Sequence, residues 1–145
     1  MPTDCIPTLF DFAPVEGRKV VASFDGGAMT SNAGALLLGA TDRRLGLTRR
    51  FAACFQDHRD PDLIEHRVET LVMQRVTGIA LGYEDLNDHD DLRHDPLMAV
   101  LAGKLAASRS GCAALAGKST LNRLEHAPQG GPGRYHKIGH DPAAI

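Results

Sequence analysis

Apolar residues recur at helical spacing through the middle of this chain. Ile64, Val68, Leu71, Val72, Val76 and Ile79 follow one another in steps of four, three, one, four and three. That spacing predicts one face of a long helix. Asp60-Pro61 ahead of it is a start signal, because Asp accepts backbone N–H bonds and Pro at the first position gives up no needed donor. Glu65, Arg67, Glu69, Gln74 and Arg75 mark the expected polar face, and Gly82 lies near the end. Upstream, Thr30, Ser31 and Asn32 offer caps for the helical pattern AGALLLGATDRRLG, which Gly46 closes. Thr48 to Gln56 reads as a shorter helix with Phe51, Ala52 and Phe55 on one side.

Downstream, Tyr83 to Arg93 is the most polar stretch and reads as one short helix or helical turn. Asp95-Pro96 starts another helix, with Leu97, Met98, Val100, Leu101 and Leu105 apolar. Ser108 to Gly117 reads as a loop, and Ser119 or Thr120 as the cap of the short helix TLNRLEH. The β-branched run Lys19 to Phe24, ended by Asp25-Gly26-Gly27, predicts one short β element near residues 19–25. The expected fold is therefore mainly α. Residues 1–18, with three prolines, form an extended arm, 19–126 a mostly helical region, and 127–145 a linker and the start of a further element. Asp141-Pro142 repeats the start signal just before the sequence stops. A helix of one turn has no stability of its own. The expectation is a fragment of something longer, or a chain that leans on a partner for the missing packing.

Composition narrows the class. The 145 residues, 43% hydrophobic and 23% charged, fit one globular domain, and 5% aromatics with no Trp demand an aliphatic core. The formal charge of −2 excludes a uniformly basic nucleic-acid coat. It conceals an asymmetry: residues 1–103 hold 10 Lys/Arg against 16 Asp/Glu, whereas residues 104–145 hold 6 against 2. No apolar run approaches the ~20 residues of a membrane span, and the N-terminus lacks a signal-peptide pattern. Cys5, Cys54 and Cys112 are odd in number and far apart, which points to reduced thiols and a cytoplasmic place.

Several patterns invite chemistry. Ala116-Gly-Lys-Ser-Thr120 resembles a phosphate loop, but Cys112 stands where the first Gly is required and no strand precedes it. A helix start with nearby cations is the simpler reading. The run Glu84, Asp85, Asp88, Asp90, Asp91, Asp95 offers oxygen ligands, but a calcium loop begun at Asp85 has Asp90 in place of Gly and Pro96 in place of Glu. A face paired with Arg67, Arg75 and Arg93 is expected instead. The histidines lack ligand-pair spacing, so neither catalytic nor metal-binding residues are assigned. Arg43, Arg44, Arg49 and Arg50, with the basic tail (Lys104, Arg109, Lys118, Arg123, Arg134, Lys137), are the nucleic-acid candidates, since cations gain affinity from phosphates by releasing counterions.

Read in order, FDGGAMTSNAGALLL (24–38), DRRLGL (42–47), QRVTGIALGYEDLNDHDDLRHDP (74–96) and LAGKSTLNRLE (115–125) resemble the N-terminal part of DDE-type transposases of the insertion-sequence 1380 group. RYHKI (134–138) resembles the segment leading toward the family's catalytic domain. The resemblance implies a bacterial, nucleoid-associated protein that cuts and joins DNA with a ribonuclease-H-like core, three acidic residues and Mg²⁺. It places the first catalytic Asp beyond residue 145, so Asp25, Asp85 and Asp88 are not assigned that role, and no cofactor is expected in this part. The implied job is contact with double-stranded DNA at terminal inverted repeats and packing on the catalytic domain. The alternative is a module that docks a full-length transposase and damps it. The residues assigned to DNA are Arg43, Arg44, Arg49, Arg50, Lys118 and Arg123, on charge and helix position.

Overall fold

The long helical period is realised as α3 (Val68–Ala80), against which α2, α5 and α6 pack. The computed structural model describes residues 14–18, 27, 29–129 and 131–144. Around α3 lie α1 (Ala35–Leu45), α2 (Leu47–Ala52), α4 (His89–Leu92), α5 (Pro96–Ala102) and α6 (Lys118–Glu125). Two short strands, β1 (Phe55–Asp57) and β2 (Ile138–His140), complete the described elements, and the fold is mainly α. The β element expected near residues 19–25 lies outside the described residues, as does most of the arm. Of that arm, Val15 and Arg18 close a turn through reciprocal backbone bonds of 3.0 and 2.9 Å.

Several boundaries differ from the sequence reading, each for a physical reason. The second helix ends at Ala52, and Phe55 and Gln56 belong to β1, which pairs antiparallel with β2 (Phe55 opposite His140, Asp57 opposite Ile138). Strands of three residues whose partners lie some eighty positions away leave no local period to read. Asp60-Pro61 opens only a 3₁₀ turn, Pro61–Leu63, in which Asp60 accepts from the Asp62 amide at 3.1 Å. α3 begins seven residues later, at Val68. The caps read at Thr30, Asn32, Ser119 and Thr120 are not used: α1 and α6 start at Gly34 and Gly117 with no side-chain cap. Thr30 and Asn32 instead donate to Asp95 Oδ2 at 2.8 and 3.1 Å. Asp95 also accepts from the Leu97 amide at 2.7 Å, so it caps α5 as expected.

The core lies between α3, α6 and β2: Val68, Leu71, Val72, Leu121, Leu124 and Ile138 are buried together with Ala116 and Ala127. Val76 and Ile79, expected on that face, are 41% and 50% exposed. Gln74, expected on the polar face, is fully buried. α3 is therefore rotated from the apolar stripe, and its buried side includes one amide. The segment after the linker is seated by the sheet: Ile138 is buried, and the Asp141 amide donates to the Cys54 carbonyl at 2.9 Å. The turn Pro142–Ala144 follows.

Gln74 accounts for the rotation. Its Oε1 accepts from the Ala116 amide at 3.0 Å and its Nε2 donates to the Ala116 carbonyl at 2.7 Å, like one step of a β ladder. Nε2 also reaches His89 Nδ1 at 3.2 Å. Ala116 fixes the amide's orientation, so Gln74 Nε2 presents a donor to His89 Nδ1, while the Arg75 guanidinium lies 3.5 Å from Nε2 on the other side of the ring. The ring lies across α3 at Gly78, where a Cβ would stand 2.8 Å from His89 Cε1. Burial, and then the Arg75 guanidinium, hold His89 below the usual histidine range. Burial and Lys104 do the same to His66. Ahead of α3, Glu65 receives the Lys104 ammonium and the amides of Ser108 (2.9 Å) and Arg109 (3.0 Å), tying down the loop after α5. The Lys104 bond and these amides lower its pKa to about 2.

Two outcomes follow for stability. Gln74→Leu leaves the Ala116 amide and carbonyl buried without partners and is expected to cost about 2–5 kcal/mol. Urea unfolding should show a lower midpoint at unchanged slope; a loss below about 1 kcal/mol would contradict the network's weight. The pH dependence has two steps. His66 and His89 are neutral in the fold, so the unfolded chain binds protons first as pH drops below 6.5. Stability then declines down to their depressed folded values. Glu65 adds stability above its ordinary 4.5, lost as pH falls toward 2. Melting temperatures that stay flat from pH 7 to about pH 5 would contradict the first step.

Candidate nucleic-acid interface

α1 and α2 meet at Gly46, whose φ of 64° is a left-handed conformation that closes α1 as the sequence implied. The elbow places Arg43 and Arg44 in the last turn of α1, and Arg49 and Arg50 in the last turn of α2. All four are exposed. None forms an ion pair among the described residues. The adjacent acid, Asp42, is occupied: it accepts from the Thr48 amide at 2.9 Å and from the Thr48 hydroxyl. Burial raises its pKa, but the bonds from Thr48 and the charge of Arg49 outweigh that and keep it low. Asp42 thus holds the start of α2 and forms no ion pair with the arginines, although its charge is felt by Arg49.

The six candidates do not form one cluster. Lys118, in the first turn of α6, pairs with Asp90 at 3.4 Å and donates to Asn87 Oδ1 at 3.0 Å. Asp90 Oδ1 also takes the Lys118 backbone N–H at 3.1 Å. A carboxylate therefore occupies the place at this helix start where the phosphate-loop reading would put an anion. Arg123 lies five residues on and lines a cleft of about 90 Å³ with Arg59, Thr120, Tyr135, Lys137 and Ile138. None of the elbow arginines lines that cleft. The sequence reading missed Arg59 and Tyr135. The one available signal was the string Arg134-Tyr-His-Lys137, an aromatic among cations.

The acidic run is structural, though its partners differ from those expected. Asp85 accepts from the Asn87 amide at 2.9 Å, which with the Asn87 side chain lowers its pKa, and starts the turn Leu86–Asp88. Asp90 holds α6, and Asp95 caps α5 and ties it to Thr30 and Asn32. Arg75 turns away from these acids to Glu125 and to the carbonyls of Tyr83 (3.1 Å) and Glu84 (2.6 Å). Arg93 bonds the Asp90 carbonyl and His94, and Tyr83 bonds Asn32 at 3.2 Å. No three metal-ligating side chains are gathered to hold an ion among the described residues. Asp85, Asp90 and Asp95 are committed to turns or helix starts, and with no ligand set gathered the described residues do not fit a two-metal centre. Among the described residues, no helix is long and apolar enough to cross a membrane.

A groove of about 320 Å³ opens beside the elbow, lined by Leu38, Leu45, Leu47, Phe51, Met73 and Val76 among others, with Arg43 and Asp42 also lining it. Leu36 and Leu37 of α1 are also exposed, and only Ala35 of that helix is buried. α1 thus leaves most of its leucines uncovered by the described chain.

No curated protein and no solved structure matches the chain significantly. The family model described as transposase DDE domain group 1 does, over residues 12–134. That span takes in the elbow, α3, the acidic run and α6, and the chain belongs to the transposase DDE domain family, group 1.

Proposed function

We propose that this chain serves a DNA transposase as its N-terminal DNA-contacting region. In this reading the parent is of the insertion-sequence 1380 group, bacterial and nucleoid-associated in the cytoplasm, and carries its DDE residues and Mg²⁺ in a ribonuclease-H-like domain outside this segment. The observation that carries the proposal is the elbow: four exposed arginines within eight residues, against the single neighbouring carboxylate of Asp42. Guanidinium groups suit phosphates because their donors are planar and permanently charged. The ligand is double-stranded DNA, with the terminal inverted repeats of the element as its natural source. Lys118 contributes less in this reading, because Asp90 already offsets it.

The apolar groove favours a second role alongside the first. Its leucines fit a face that packs on the catalytic domain of the same protein. An isolated copy would present that face to a full-length transposase and compete for its contacts.

Two experiments test these readings. Replacing Arg43, Arg44, Arg49 and Arg50 together by Ala should weaken duplex binding and flatten its log-log salt dependence by roughly 3 to 4. An unchanged slope would contradict the elbow as the contact. For the groove, a mixture with full-length transposase should co-elute in size-exclusion chromatography. Val76→Asn, on the α3 wall of the groove and away from the elbow, should abolish co-elution while sparing duplex affinity, and co-elution that survives Val76→Asn would contradict the docking role.

A further inference from the structure

The cleft beside α6 carries chemistry that the elbow does not use. Three of its six lining residues, Arg59, Arg123 and Lys137, are cations; Asp57 offsets Arg59, and among the described residues Arg123 and Lys137 form no ion pair. Its walls are fixed from behind. Arg59 is forked onto Asp57 (2.8 and 2.6 Å) and donates to the His66 carbonyl at 2.8 Å. The His58 amide donates to the Lys137 carbonyl at 2.7 Å, which extends the β1–β2 pairing up to the cleft. Ile138, beside Lys137, is buried in the core. Arg123 projects from α6, whose Leu121 and Leu124 are buried in that same core.

Tyr135 lines this cleft and is 76% exposed. Its ring is apolar surface held in water, with the Arg134 guanidinium 5.4 Å from its centroid. An exposed aromatic face beside a basic groove suits a nucleic-acid strand: phosphate sits on the cations while a base stacks on the ring. Bases inside an intact duplex are stacked on one another and cannot do this. We propose that the cleft holds a phosphate of a DNA strand with unpaired bases and that Tyr135 stacks one of those bases. The proposal takes its ligand class from the DNA-contact reading, but its location is separate.

The chain provides its own reporter, since it has no Trp and only two tyrosines, Tyr83 and Tyr135. Short oligothymidylate added to the full chain should quench tyrosine emission, while anisotropy of labelled oligothymidylate gives the affinity. Tyr135→Ala should weaken that affinity roughly tenfold. Tyr135→Phe should keep the affinity and lose most of the quenching. Arg123→Ala should weaken binding with Tyr135 intact, and circular dichroism checks that each variant is folded. The elbow variant should lose duplex binding yet keep oligothymidylate quenching, which separates failure of one site from failure of the other. Unchanged oligothymidylate affinity in Tyr135→Ala, or binding without quenching in the unaltered chain, would overturn the proposal.

Discussion

One buried amide sets the architecture. Gln74 offers its donor and acceptor to the backbone of Ala116, forty-two residues away, and its second N–H to His89. A buried backbone pair left without partners would cost several kcal/mol, so α3 must present Gln74 inward. That requirement turns Val76 and Ile79 outward and fixes the approach of the loop that enters α6. α6 then buries Leu121 and Leu124 against Leu71 and Val72 and carries Arg123 to the surface on its other side. The Gln74 bonds thus decide both what is core and where one of the cationic residues emerges.

A second constraint concerns charge. The region up to residue 103 is acidic by formal count. Several of its carboxylates serve the fold: Asp42, Asp60, Asp85 and Asp95 accept backbone N–H bonds at turns or helix starts, Asp90 holds α6, and Glu65 anchors a loop. Carboxylates at helix starts also meet the positive end of the helix dipole. The arginines at the elbow sit at the opposite helix ends, where the dipole favours cations. The same placement stabilises α1 and α2 and leaves four guanidinium groups facing solvent. A protein with a net negative charge can in this way present a locally basic surface.

The sequence was most legible where a signal is local. The existence of a long helix over Val68–Ala80 (though not its start), the Asp95-Pro96 start and the Gly46 stop each depend on residues within a turn or two of one another. The transposase family was legible from long ordered strings, and the match over residues 12–134 agrees. What could not be read was decided by distant partners. Phe55 has no reason to leave a helix until Ile138–His140 supplies a strand to pair with. Thr30 and Asn32 look like caps until Asp95 competes for them. Gln74 looks like surface until Ala116 is beside it. Among the site residues, the elbow arginines are sequence neighbours and were found together. Arg59, Arg123 and Tyr135 meet only through the β1–β2 pairing and α6, so no window of sequence contained them.

Hydrogen exchange at a single amide tests the account most directly. The Ala116 N–H lies outside every helix and strand, and an ordinary loop amide exchanges with little protection. Bonded to Gln74 and buried, it should exchange only on global unfolding, as slowly as the α3 amides of Leu71 and Val72. Protection at Ala116 equal to theirs is the predicted result. Exchange at the rate of the exposed loop around Ser110 and Gly111 would contradict the claim that Gln74 organises this fold.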